Sequence, residues 1–69
     1  MNSYELMALL TKKERDGLAE WCETTTVEAK SLTEAGKMAK RFGRNVASEN
    51  GARLEDAYAI CDETGEQSN

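Results

Sequence analysis

Apolar and polar positions separate most cleanly between residues 30 and 46. Wound at about 100° per residue, Lys30, Lys37, Lys40, Arg41 and Arg44 fall within an arc of roughly 100°. Leu32, Ala35, Met38, Ala39, Phe42 and Val46 fall on the other side. The pattern predicts an amphipathic helix. Two capping boxes compete for its start, Thr25 with Glu28 and Ser31 with Glu34. Gly51 suits a left-handed cap at its end.

Other elements follow from the same spacing. Ser3 can cap a short helix over residues 4–10, and Thr11 with Glu14 can open a second over 12–23, with Leu18, Trp21 and Cys22 inside. Three successive threonines, Thr24 to Thr26, interrupt it, because threonine loses side-chain freedom in a helix and competes for backbone bonds. A fourth helix over 53–62 puts Leu54, Tyr58 and Cys61 on one side. The abundance of helix formers favours an all-α fold, a bundle of three to four short helices over residues 1–64 with a loose polar tail at 65–69. The rival is an α+β fold with a strand–helix–strand unit at residues 23–62. There Val27 and Ala29 alternate inward, and residues 57–61 form a second strand before an Asp-Glu-Thr-Gly turn. Against it, residues 52–61 hold a single β-branched residue, Ile60.

Size changes the picture next. A 69-residue chain makes one domain and buries a modest fraction of its surface, so oligomerisation is the expected extra source of stability, as a homodimer. With no histidine, and with Cys22 and Cys61 standing apart, no metal site or cofactor is expected. No leader-like segment is present, so the expected compartment is the cytoplasm, with free thiols. No apolar run approaches the length of a membrane span, and membrane binding is not expected.

Charge is unevenly spread. Five of the nine basic residues lie in the amphipathic segment, with Glu34 alone against them. Residues 1–29 sum to −3 and residues 45–69 to −5. A basic stripe of this kind can neutralise phosphates or meet an acidic protein. Ala39 and Gly43 have the spacing of a helix-turn-helix, but Arg44 and Glu49 stand where that motif wants apolar residues. A strip of small residues, Ala29, Gly36 and Gly43, recurs every seven positions and predicts close helix packing. The run Leu6-Met7-Ala8-Leu9-Leu10 would cover most of a short helix, so part of it is expected to meet a partner. Trp21 reads as a core anchor.

Catalysis finds no support. No histidine offers a base, Cys22 lacks electropositive neighbours, and Asp62 and Glu63 should raise the Cys61 pKa. In length, lack of catalytic residues and segregated charge, the chain resembles the small accessory proteins of bacteriophages and mobile elements. The reading that follows is a non-enzymatic interaction module that blocks or modulates a target protein by steric occlusion. Leu6, Met7, Leu9 and Leu10 would anchor it, and Lys37, Lys40, Arg41 and Arg44 would supply electrostatic complementarity. The alternative is a small DNA-binding transcriptional regulator that uses the same basic helix.

Overall fold

The structure, a computed structural model, describes residues 1–69. The chain runs β1 (Asn2–Glu14), β2 (Gly17–Ala29), α1 (Leu32–Asn50) and β3 (Arg53–Cys61). One antiparallel sheet holds the strands in the order β2-β1-β3. β2 and β3 therefore run in the same direction on either side of β1, and α1 carries the crossover. The helix lies on one face of the sheet, over β1 and β3 more than over β2.

This mixed α+β architecture overturns the all-α bundle. The helices expected over 4–10 and 12–23 are the two strands of a long hairpin, and the helix expected over 53–62 is β3. The physical reason is clearest at Leu6 to Leu10. A short continuous apolar run fits a strand covered on both faces as well as a helix. In β1 it resolves by alternation. Leu6, Ala8 and Leu10 face the helix, while Met7 and Leu9 face away. The threonines that break a helix favour a strand, and Thr24 to Thr26 lie within β2. A turn at Arg15 and Asp16 joins the strands, and Gly17, at φ 136°, takes a backbone conformation that a side chain would disfavour. The strand–helix–strand alternative describes the second half of the chain, with Val27 and Ala29 turned toward the helix side.

Of the two competing starts the one at Ser31 forms and the one at Thr25 does not, because Thr25 lies within β2, whereas the end at Gly51 is as expected. Ser31 is the N-cap, its Oγ accepting from the Glu34 amide at 3.1 Å, so Lys30 precedes the helix. Gly51, at φ 60°, is the left-handed cap, and the Gly51 and Ala52 amides donate to the Ser48 and Ala47 carbonyls.

Small side chains bring helix and sheet together. Seven of the twelve buried hydrophobic residues are alanines, at positions 8, 29, 35, 39, 47, 57 and 59. The rest are Tyr4, Leu6, Leu10, Val46 and Cys61, in two clusters bridged by the half-buried Phe42. Trp21 is half-buried against the second cluster, with its Nε1 donating to Glu23 at 3.0 Å.

Within the chain the small-residue strip meets the sheet and the C-terminal segment, since there is no second helix for it to meet. A Cβ on Gly43 would lie 2.8 Å from Leu54 Cδ1 and 3.1 Å from Ala57 Cβ, so this glycine lets α1 rest on β3. A Cβ on Gly36 would lie 2.9 Å from Ser68 Cβ. Ala29 belongs to β2 and is fully buried.

The segment expected as a loose tail is bonded to the sheet. The Cys61 amide donates to the Glu66 carbonyl at 2.9 Å, the Ser68 amide to the Ala59 carbonyl at 2.9 Å, and the Ala59 amide to Ser68 Oγ at 2.9 Å. These bonds cover the last third of the β3 edge. At the other end of β3 the register shifts between Leu9 and Leu10, leaving Glu55 as an extra residue. The β1–β2 hairpin overhangs the sheet beyond Thr11, and the molecule measures 43 × 18 × 16 Å.

Candidate nucleic-acid interface

The outer face of α1 is built from residues spaced to share one line. Lys37, Lys40, Arg41 and Arg44 stand at i, i+3, i+4 and i+7, directly opposite the buried Ala35, Ala39, Gly43 and Val46. At 1.5 Å per residue their Cα atoms span about 10.5 Å along the axis. Thr33 and Ser48 extend the line with uncharged polar side chains. All four cations are exposed. None forms an ion pair, since the single salt bridge in the protein joins Arg53 to Glu55 at 3.6 Å. The chain's carboxylates therefore do not cover the stripe.

Five of the thirteen carboxylates gather across the sheet. Strand alternation and pairing place Glu5, Glu20, Glu28 and Asp56 on the face turned away from the helix. Glu55 joins them at the bulge, accepting from Thr11 Oγ1 at 2.9 Å. The molecule thus carries a cationic helix face on one side and an anionic sheet face on the other. Sequence reasoning missed a second basic group, Lys12, Lys13 and Arg15, exposed at the tip of the overhanging hairpin. The Asp16-Gly17 pair was the signal for that hairpin.

The apolar anchor does not assemble as expected. Leu6 and Leu10 are 2% and 1% exposed and belong to the core. Met7 and Leu9 lie on the opposite, bare face, beside Tyr58 and Ile60 of β3. With α1 the one helix, no helix-turn-helix can form.

Chemistry beyond charge is sparse. No group of three or more carboxylate or thiol side chains is arranged to hold a metal ion. An open groove under the hairpin, about 970 Å³ in volume, is lined by Leu10, Leu18, Trp21, Ala52 and Arg53 among others, and no buried unpaired polar atom points into it. Cys22 is exposed and Cys61 buried, and they are not bridged. The Cys61 thiol is held below its ordinary pKa, against expectation. The Thr64 hydroxyl and the Thr64 and Glu63 amides hydrogen-bond to it, and together they outweigh burial and the Glu63 charge. No helix is long and apolar enough to cross a membrane. No known family model, curated protein or solved structure matches the chain.

Proposed function

We propose that this protein binds duplex nucleic acid through the outer face of α1, as a small DNA-binding regulator would. One observation carries the reading. Lys37, Lys40, Arg41 and Arg44 are exposed in one line and free of partners from their own chain. The occlusion reading, in contrast, loses Leu6 and Leu10 to the core.

Binding of this kind needs no chemistry on the ligand. Each lysine or arginine that meets a phosphate releases condensed counterions, and that release drives association. The anionic sheet face is repelled by the same phosphates, so the approaching molecule turns its helix toward the duplex. A net charge of −4 therefore does not preclude binding, because the charges are segregated.

The test is fluorescence anisotropy of a labelled random-sequence duplex. Four phosphate contacts give a log–log salt slope of about −3.6, so affinity should fall roughly 150-fold between about 50 and about 200 mM salt. The double reversal Lys40→Glu with Arg44→Glu should abolish binding and leave helicity unchanged. Absence of binding at the lower salt would refute the reading.

A further inference from the structure

The two edges of the sheet are finished differently. Along β3 the amides of Ala57, Ala59 and Cys61 point away from β1. Each has an acceptor in its own chain, namely Asp56 Oδ1, Ser68 Oγ and the Glu66 carbonyl, all at 2.9 Å. Because those residues bond outward, Tyr58 and Ile60 bond inward to Met7 and Glu5. β1 then bonds β2 through Tyr4, Leu6, Ala8 and Leu10, whose partners are Val27, Thr25, Glu23 and Trp21. The amides and carbonyls of Leu18, Glu20, Cys22, Thr24, Thr26 and Glu28 are left on the outer edge of β2, and no group of the chain bonds them.

Edge strands are usually blunted by lysine, proline, a bulge or short length. β2 has none of these. It runs for 13 residues in unbroken register with β1 and holds the strand-forming Thr24, Thr25, Thr26 and Val27. Its charges are all negative. Glu20 and Glu28 are exposed on the face away from α1, and Glu23 is half-buried on the other face. The part of β1 that pairs with this stretch, residues 3–11, adds Glu5 and no cation. Lys12 and Lys13 lie beyond it at the hairpin end, and Lys30 follows the strand. Arg53 stands two strands away from Glu20 and is held by Glu55 at 3.6 Å.

We propose that β2 takes up an extended basic peptide segment of another protein as a fourth strand, antiparallel to it. A second copy of β2 does not suit this edge, because it brings Glu20, Glu23 and Glu28 to an edge that already holds them. The carboxylates set the spacing of the cations. In a nine-residue segment a lysine or arginine at the first position lies opposite Glu28, at the sixth opposite Glu23 and at the ninth opposite Glu20. The outer two are about 27 Å apart at 3.4 Å per residue. Threonine or valine at the third to fifth positions meets Thr26, Thr25 and Thr24. Main-chain bonds supply the affinity, and the ion pairs select the sequence and its register. The basic face of α1 takes no part, so the proposal stands independently of nucleic-acid binding.

Fluorescence anisotropy of a labelled, end-blocked peptide, Lys-Val-Thr-Val-Thr-Lys-Thr-Val-Lys, titrated with the full chain, tests it. Saturable binding is expected. N-methyl groups on the third and fifth residues, whose amides face β2, should abolish it. The same groups on the second and fourth residues, whose amides face solvent, should leave it intact. Glu20→Lys with Glu28→Lys in the protein should weaken binding roughly tenfold or more, with an unchanged circular dichroism spectrum. The peptide with glutamate in place of each lysine should not bind. Four results would each overturn the proposal: no saturable binding, equal loss with both methylated peptides, indifference to the Glu20 and Glu28 changes, or a dimer of the chain that excludes the peptide.

Discussion

The two faces of the sheet invert the usual distribution of bulk. The face under α1 is buried along β1 and the C-terminal half of β3 yet made largely of small residues, with Ala8, Ala57 and Ala59 set between Tyr4, Leu6 and Leu10. The bare face carries Met7, Leu9, Tyr58 and Ile60. The covered face therefore gains from close approach of backbones, and each alanine contributes little apolar area of its own. Burying one leucine stabilises by roughly 1.5–3 kcal/mol, so Leu6 and Leu10 dominate the interior. On the bare face Leu9 is 36% exposed, and Met7, Tyr58 and Ile60 are half-buried by their neighbours.

The comparison breaks first at the covered face. Leu6→Ala leaves a cavity beneath α1 and should cost about 2–5 kcal/mol, enough to leave so small a domain largely unfolded. Urea denaturation followed by circular dichroism measures it, and a loss below about 1 kcal/mol would mean that the helix does not seal that face. Removing the helix cap comes next, with Ser31→Ala expected to lower stability by about 1 kcal/mol through loss of the bond to the Glu34 amide. On the bare face, Leu9→Ala should change the stability of the dilute monomer by no more than about 0.5 kcal/mol, as an exposed substitution does. The contrast with Leu6→Ala is the sharpest separation of the two faces.

The smallest effects concern the thiols, which also lie on opposite faces. Cys22 is exposed and should react readily with an alkylating reagent in the native protein. Cys61 is buried and should react slowly at every concentration. Because the folded Cys61 pKa lies below its ordinary value of 9.0, its contribution to stability grows as pH rises through the lowered value and is fully present above 9.0. It is lost as pH falls through the lowered value. Cys61→Ala should remove that part of the pH dependence, read from urea midpoints across the range.

Features decided by local chemistry were legible in the sequence. Ser31 with Glu34, Gly51, and the opposed faces of residues 32–46 depend on side chains and backbone within a few residues of each other, and α1 follows them closely. The strands were hidden for two reasons. Leu6 to Leu10 has no period, because a central strand with two apolar faces and a buried helix share the same pattern. β3 turns Leu54, Ala57, Ala59 and Cys61 toward the helix, and alanine carries no strand preference, so alternation there is written in size. The placement of Ser68 against Gly36 and of Glu66 against Cys61 is tertiary and left no local trace. Within the candidate interface the basic line was visible, but the partition of Leu6 and Leu10 from Met7 and Leu9 required knowing that β1 is a strand.

The overhanging hairpin has a hydrodynamic consequence. A compact chain of this length would have a radius of gyration of about 11 Å. This one has 12.7 Å, because its long axis is more than twice either short one. Friction grows with elongation, so a monomer will leave a size-exclusion column early, at a volume proper to a heavier globular protein. Elution volume would then report shape as association, and only a measurement of mass independent of friction separates one copy from two.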